Sequence, residues 1–270
     1  MARIEYGYVS GALQRTEVML RGLGLRQYEI LEHHAEPLLV VGVYTSNDRV
    51  IIASHRGPLR VELCGGDVRG GEATELLNGL DRPRCQVLAP PVLREDCRAV
   101  GLQVDQWVNL FGSDPALYPP CDPGHCVYTY LPFARRDEYG LGLVREVARE
   151  FPAIWFYLGR WGRAGQPFAN ALPLPLWLPP EELVRVYRSC FCGLRTVARD
   201  GFSATVAELS LMGRPVASTL DYGLDWVAHC STAAELVSFV SRAQAAPAIE
   251  RASLAASARA LVTDHTFLDL

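Results

Sequence analysis

The sequence predicts an α/β protein with two doubly wound domains that face each other across a cleft. Short apolar segments alternate with helical segments along the chain, and this alternation is typical of parallel sheets covered by helices on both faces. Residues 112–124 interrupt the alternation with four prolines and two glycines. Such a stiff segment predicts a connector, so the two domains are expected over residues 1–115 and 116–270.

The first domain is predicted to contain strands separated by helices and one glycine-rich turn. The run at residues 37–44 is continuously apolar, which is typical of a strand buried on both faces of a parallel sheet. Pro91 and Gly101 delimit a helix. The predicted strands are residues 2–9, 28–31, 37–44, 59–63, 85–89 and 104–110, the helices 13–23, 48–54 and 91–100, and the turn 64–71.

The second domain repeats the alternation after the connector. Pro180, followed by two glutamates, opens a helix whose dipole favours acidic residues in its first turn. Thr232 and Glu235 have the spacing of a capping box before another helix. The predicted strands are residues 126–131, 154–158, 190–194 and 215–219, and the helices are 141–150, 180–189, 204–212, 236–242 and 248–262.

The composition is that of a globular chain with a substantial core. Of its 270 residues, 49% are hydrophobic and 21% are charged. A net charge of −4 argues against binding of nucleic acid through bulk positive charge. The chain has no lysine, so all 26 fixed cations are arginines. Any phosphate site must therefore use guanidinium groups or backbone amides.

The cysteine spacing argues against a structural metal site, and the absence of long apolar runs argues against a membrane span. The eight cysteines include no matched pair of C-x-x-C motifs, which argues against a structural zinc site. No Asp-x-Asp occurs that would hold a metal on a diphosphate. Neither a signal peptide nor a membrane-spanning run is evident. We therefore expect a cytoplasmic protein with free thiols, no membrane span and no metal requirement.

The segment from Asp200 to Val216 carries the strongest functional signal. Its pattern is loop, helix, turn and strand, with Asp200 and Gly201 in a tight turn and Ser203 placed to cap the next helix. The first amides of that helix, at Ser203, Ala204 and Thr205, would suit a diphosphate. Glu208 lies about 5 Å further along the helix axis, where a carboxylate can accept both ribose hydroxyls. The alternative is a solvated Glu208 and a Ser203 that acts only as a cap.

This segment resembles the signature of the retaining glycosyltransferases of family 4 and their GT-B relatives. In that signature an acidic residue is followed by seven residues and then by glutamate. The matching positions here are Asp200, Gly201, Phe202, Glu208, Gly213, Pro215 and Val216. Asp200 replaces the usual glutamate and shortens the side chain by one methylene. The resemblance implies a GT-B fold of two Rossmann-like domains, with a short N-terminal domain for the acceptor and a second domain for a UDP- or GDP-sugar.

The resemblance also implies roles for individual residues of the second domain. Asp200 would be a catalytic residue that contacts the sugar hydroxyls, and Glu208 would bind the ribose. Donor contacts would come from Gly201, Phe202, Ser203, Ala204 and Thr205. Arg135 or Arg136 would replace the lysine of the usual phosphate clamp, unless they belong to a solvated loop, and Arg195 would face the same site. Gly159 would pass under the base, and residues 177–187 would read it.

For the first domain, the resemblance implies a side chain that faces the reactive carbon of the sugar. Asp67, Asp48 and Ser10 all follow predicted strands at the edge where α/β sites form, and Asp67 is the catalytic candidate. None of the histidines takes the sugar-binding role that the family often gives to one. Transfer with retention depends mainly on orientation and on stabilising the leaving diphosphate, so a general base is not required.

Three matters stay open at the level of sequence. An epimerase on the same fold is disfavoured by the compact first half, whereas a catalytically weak or inactive nucleotide-sugar-binding module remains an alternative. The acceptor could be a polysaccharide, a lipid-linked sugar, a metabolite or a hydroxylated base of viral DNA, and the net charge gives DNA no support. The C-terminal segment, residues 258–270, is expected to return to the first domain, because Phe267, Leu268 and Leu270 need a place to be buried, and the alternative is a frayed tail.

Overall fold

Parallel strands and helices alternate along the chain of the computed structural model, which describes residues 3–13, 16–69, 71–81, 84–110, 112–265 and 268–269. The chain forms two units. One consists of Met1–Asp114, Asp200–Phe202 and Leu261–Leu270, and the other of Pro115–Arg199 and Ser203–Ala260. Two short segments that the sequence assigns to the second domain, residues 200–202 and 261–270, thus group with the first unit.

The first unit contains a six-stranded parallel sheet of order β2-β1-β3-β4-β5-β6. Its strands are β1 (Tyr6–Val9), β2 (Arg26–Gln27), β3 (Leu38–Val41), β4 (Leu59–Glu62), β5 (Cys85–Ala89) and β6 (Gln106–Trp107). Its helices are α1 (Thr16–Leu23), α2 (Ser46–Ser54), α3 (Gly71–Asn78) and α4 (Arg94–Ala99).

Both faces of this sheet are covered, as a doubly wound fold requires. All four residues of β3 are buried, which confirms the prediction from the apolar run. Leu38 and Val40 belong to the core on one face, while Leu39 and Val41 belong to the core that also contains Leu20 of α1. The alternation of side chains along a strand thus supplies two separate cores.

Three predictions for the first unit were wrong in detail. The strand predicted at residues 28–31 is instead the two-residue β2, and turns follow it because Glu29 and His33 bond to each other. The glycine-rich turn leads into an unpredicted helix, α3. Helix α2 begins before the predicted residue 48 because Thr45 and Asp48 form a capping box.

The second unit contains a parallel sheet of order β12-β11-β10-β7-β8-β9. Its strands are β7 (Cys126–Tyr130), β8 (Phe156–Gly159), β9 (Ala171–Pro173), β10 (Cys190–Arg195), β11 (Val216–Ser218) and β12 (Val227–His229). Its helices are α5 (Leu141–Glu150), α6 (Pro180–Arg188), α7 (Ala204–Leu211), α8 (Ala233–Ala245) and α9 (Ala248–Thr263), the last of which extends beyond Ala260.

The caps of these helices agree with the sequence in one case and differ in another. Thr232 and Glu235 form the predicted capping box before α8. Ser203 occupies the N-cap position of α7, but its side chain makes no capping hydrogen bond, so the predicted side-chain cap is wrong. The edge strands β9 and β12, of three residues each, were not predicted.

The connector is held to the second unit by a buried arginine. Arg214 follows α7, is fully buried, and donates from Nη1 to the carbonyl oxygen of Cys121 at 2.8 Å. Its Nη2 donates to Cys121 Sγ at 3.0 Å and to the carbonyl oxygen of Asp122. A buried cation is costly without such partners, so these bonds fix this part of the connector.

The C-terminal segment packs within the first unit. Leu268 is buried in the same core as Ile4, and the amide of Ile4 donates to the carbonyl oxygen of Leu268 at 3.0 Å. Arg3 and Asp269 form an antiparallel bridge. Phe267 and Leu270 lie outside the described residues. Among the helices that the structure describes, none is both long enough and apolar enough to cross a bilayer.

Candidate functional site

Arg195 is held at the carboxyl end of β10, in the second unit. Only 5% of its surface is exposed, and its guanidinium carbon lies 4.6 Å from the ring centroid of Tyr130 and 4.9 Å from that of Tyr139. Cation–π contacts with two rings orient the guanidinium. The strand neighbour β7 ends at Tyr130, so a fixed positive charge lies where two parallel strands end.

The loop that carries Tyr139 is fixed to the end of β10 by a glycine and a threonine. Thr196 Oγ1 donates to the carbonyl oxygen of Tyr139 at 2.8 Å. Gly140 has a φ of 71°, and a Cβ atom there would lie 2.5 Å from the carbonyl oxygen of Thr196. Only glycine fits this position, so the sequence Tyr139-Gly140 sets the place of one ring beside Arg195.

Helix α7 begins at Ala204, after the loop of residues 196–203 that follows β10. Ser203 and Thr205 are each 6% exposed, and the carbonyl oxygen of Ser203 accepts from the amides of Val206 and Ala207. The first amides of a helix have no intrahelical acceptor, and the helix dipole adds positive potential there. The predicted donor contacts Ser203, Ala204 and Thr205 therefore supply amide donors at the N-terminus of α7.

Glu208 is the most buried of the predicted site residues. It is 0% exposed, so the alternative of a solvated helix residue is wrong. Tyr118 Oη donates to Oε1 at 2.8 Å, and Tyr187 Oη donates to Oε2 at 3.1 Å. Tyr118 lies in the connector and Tyr187 in α6, where its ring packs edge-on against Tyr128 at 4.9 Å. Glu208 is thus the centre of a buried polar cluster within the second unit.

The two candidate clamp arginines fold back on their own loop. Arg135 pairs with Glu138 at 2.6 Å, and its guanidinium carbon lies 5.3 Å from the ring centroid of Tyr139. Arg136 donates to the carbonyl oxygen of Phe133 at 3.1 Å. The structure therefore brings Arg135 and Arg195 to the same aromatic ring, whereas Arg136 contacts a different residue.

Gly159 ends β8 in close contact with a tyrosine. A Cβ atom at Gly159 would lie 2.1 Å from Tyr128 Oη, so the glycine makes room for that hydroxyl. Arg160 follows with a φ of 63°, which is rare for a residue other than glycine. Its guanidinium carbon lies 4.8 Å from the ring centroid of the exposed Trp177. This pair was not predicted, because neither the backbone conformation of Arg160 nor its contact with Trp177 has a sequence signal.

Asp67 of the first unit, the predicted catalytic residue there, accepts hydrogen bonds from backbone amides. Its oxygens accept from Val43 at 3.1 Å, from Cys64 at 3.0 Å and from Gly65 at 2.9 Å. Burial raises the pKa of Asp67, although these donors oppose the shift. The carboxylate therefore ties together the segments that follow β3 and β4, and its catalytic role stays a prediction.

Asp48 and Ser10 form a second buried cluster in the first unit. Asp48 accepts from Ser10 Oγ at 2.7 Å, from Tyr8 Oη at 2.8 Å and from the amides of Tyr44 and Thr45. Burial acts to raise the pKa of Asp48, but hydrogen bonds, that from Ser10 first, hold it below its usual value. Ser10 thus holds the Asp48 side chain by a hydrogen bond, and Asp48 in turn caps the start of α2.

The turn at Asp200 groups with the first unit and comes close to the segment after β4. A Cβ atom at Gly201 would lie 2.5 Å from the carbonyl oxygen of Cys64, and one at Gly65 would lie 2.5 Å from the amide nitrogen of Gly201. Burial raises the pKa of Tyr44, and the charges of Asp67, Cys64 and Asp200 add to this shift. Both predicted catalytic carboxylates, Asp67 and Asp200, thus raise the pKa of the same tyrosine through their charge.

In the part of the chain that the structure describes, no group of three or more His, Cys, Asp or Glu side chains is placed to hold a metal ion. All eight cysteines are free thiols.

Comparison with known proteins identifies the fold. No protein-family model matches the chain, and no curated protein matches it either. Sucrose-phosphate synthase from Thermosynechococcus elongatus is similar in structure, with a TM-score of 0.60 and 12% identity over 86% of this chain and 70% of that one. A trehalose 6-phosphate synthase from Burkholderia multivorans gives a TM-score of 0.53 and 10% identity over 94% and 77% of the two chains. For TarM, the TM-score is 0.55 and the identity 9%, over 87% of this chain and 53% of that one.

The chain has the two-unit α/β fold of these proteins, which is the GT-B fold.

Proposed function

We propose that this protein is a glycosyltransferase that transfers a sugar from a nucleoside-diphosphate sugar to an acceptor. Its fold is shared with sucrose-phosphate synthase and with a trehalose-phosphate synthase described as UDP-forming. The observation that carries the proposal is the place of Arg195, a buried fixed cation at the end of β10 and just before the turn that leads into α7. This is the charge that a diphosphate leaving group requires.

The donor diphosphate is proposed to bind at the carboxyl edge of the second sheet. Arg195 would neutralise its charge, and the first amides of α7 would donate hydrogen bonds to its oxygens. Arg135 shares the ring of Tyr139 with Arg195 and would supply a second cation. Preorganised donors of this kind stabilise charge that develops on a leaving group. Fixed cations would thereby take the place of a metal ion.

The remaining assignments follow from the resemblance of the Asp200–Glu208 segment to the family signature. Glu208 is proposed to accept hydrogen bonds from the ribose, and Gly159 to border the base. The first unit is proposed to be a short acceptor-binding domain, with Asp67 and Asp200 as its catalytic carboxylates near Tyr44. A similar structure is a trehalose-6-phosphate synthase described in terms of glycosyltransfer with retention, which supports retention here.

Binding and turnover can be tested separately. UDP, GDP and their sugars should raise the melting temperature in the presence of a strong chelator, since a ligand at 100 times its Kd adds about 2.7 kcal/mol. Slow hydrolysis of the stabilising sugar nucleotide without an acceptor would demonstrate catalysis. Binding without hydrolysis or transfer would support the module that holds a nucleotide sugar, and dependence on a divalent ion would contradict the proposed role of the arginines. If no nucleotide raises the melting temperature, the proposed function is wrong.

A further inference from the structure

The Glu208 carboxylate already accepts the kind of hydrogen bond that a ribose would donate to it. Tyr118 Oη donates to Glu208 Oε1 at 2.8 Å, and both side chains are 0% exposed. A phenol hydroxyl and a ribose hydroxyl are both neutral O–H donors, and both form short bonds to a carboxylate. The carboxylate that is proposed to bind the ribose therefore already accepts a hydrogen bond from the chain itself.

We propose that Tyr118 is a built-in competitor for the donor, and that its hydroxyl occupies the position on Glu208 that a ribose hydroxyl takes. Donor binding then exchanges one O–H···O bond on Oε1 for another. This inference rests on the proposed function, because it takes Glu208 as the residue that binds the ribose. It adds a residue outside the family signature, 90 positions away along the chain.

Tyr118 is better placed to leave the carboxylate than Tyr187, which bonds to the other oxygen. Tyr187 lies in the last turn of α6, and its ring packs edge-on against Tyr128 at 4.9 Å. Tyr118 lies in the connector, in a bend outside any helix or strand. Withdrawal of the hydroxyl therefore requires no change within a helix or strand, and the bonds from Arg214 to Cys121 and Asp122 can stay in place.

Removing the Tyr118 hydroxyl should therefore tighten nucleotide binding. The wild-type protein must break the Tyr118–Glu208 bond before a ribose hydroxyl can replace it, whereas Tyr118→Phe has no such bond to break. Hydrogen bonds to charged groups make a net contribution that corresponds to about tenfold or more in an equilibrium constant. We expect Tyr118→Phe to bind the nucleotide about tenfold more tightly.

Tyr187→Phe is the matched control, since it makes the same change on the same carboxylate. Both variants should have a lower melting temperature without ligand, because each leaves one buried oxygen of Glu208 short of a donor. Only Tyr118→Phe should gain affinity in calorimetric titrations with UDP and GDP. Tyr118→Leu, which also removes the hydroxyl, should reproduce the gain if the ring itself is not needed for binding.

The 2′,3′-dideoxy forms of the same nucleotides test whether the exchange is with the ribose. The affinity gain of Tyr118→Phe should disappear with them, because they lack the hydroxyls that would replace the phenol. Unchanged or weaker binding of UDP and GDP by Tyr118→Phe would overturn the inference while leaving the proposed function intact. An equal gain with the dideoxy nucleotides would also overturn it. Absence of binding by the wild-type protein and all three variants would overturn both.

Discussion

Arg195 contributes a guanidinium, a group that is not deprotonated in proteins, to the proposed diphosphate site. Arg195→Met keeps the length of the side chain and removes the cation. We expect the affinity for UDP or GDP to fall by about tenfold to a hundredfold, as for the loss of one hydrogen bond to a charged group. Calorimetric titration of the folded variant measures this directly.

Arg149→Met is the control for that experiment, because Arg149 is an exposed residue in the last turn of α5. The same change of charge there should leave nucleotide affinity within about twofold, given that exposed charges are screened by salt. Equal affinities of the wild-type protein and Arg195→Met would show that Arg195 has a structural role only, through Tyr130 and Tyr139.

Glu62 is a buried carboxyl that the proposed site does not use. It ends β4, it is 3% exposed, and its Oε2 has no hydrogen-bond partner among the described residues. Burial, with the charge of Asp67, raises its pKa well above the usual 4.5. A carboxyl with a raised folded pKa holds its proton more tightly in the folded state, so stability is lost as the pH rises from about 4.5 through the folded value.

Glu62→Gln should remove this loss and leave the free energy of unfolding less dependent on pH above 4.5. Urea denaturation at a series of pH values measures how the free energy of unfolding changes with pH. Asp48→Asn is the comparison with the opposite sign, because the pKa of Asp48 is lowered and its contribution is lost as the pH falls below about 3.8. If the free energy of unfolding of Glu62→Gln depended on pH as strongly as that of the wild-type protein, ionisation of Glu62 would not destabilise the folded state.

At the scale of the elements, two glycines near the start of α5 should respond differently to substitution by alanine. Gly140 precedes the helix with a φ of 71°, and a Cβ atom there would meet the carbonyl oxygen of Thr196 at 2.5 Å. Gly140→Ala should therefore lower the free energy of unfolding by about 1–3 kcal/mol or more. Thermal denaturation followed by circular dichroism gives the size of the loss.

Gly142→Ala lies two residues further along in the same helix and has no neighbour within 4 Å of the new Cβ atom. It should stabilise the protein by about 0.5–1 kcal/mol, because alanine has the higher helix propensity. If the two variants behaved alike, the loop at Tyr139 would not depend on its contact with Thr196, and the place of that ring beside Arg195 would need another explanation.

The elements that sequence patterns predicted well are those whose signal is local. The apolar run of β3, the proline at the start of α6 and the capping box of α8 each act within a few residues. Elements set by tertiary contacts were missed, among them the short edge strands β9 and β12. The candidate site shows the same division, since the spacing from Asp200 made Glu208 a candidate, whereas its partner Tyr118 comes from a distant part of the chain.

At the scale of the whole molecule, the first unit includes residues that are distant in sequence, among them 261–270. Leu268 is 1% exposed and lies in the same core as Ile4 and Leu39, beside a backbone bond from Ile4. Residues 200–202 also belong to this unit. The first unit therefore needs residues 200–202 and 261–270 for its full stability, although its sheet is encoded before residue 115.

Leu268→Ala should consequently destabilise the first unit by about 2–5 kcal/mol, the usual cost of a buried leucine truncation. Hydrogen exchange should show faster opening of amides in β1 with little change in β7 of the second unit, if each unit opens on its own core. Ile249→Ala is the control, because Ile249 is 77% exposed on α9 and its truncation should change stability by less than about 0.5 kcal/mol. Equal acceleration in β1 and β7 would show instead that the units unfold as one, and no acceleration in either would show that Leu268 does not contribute to the core.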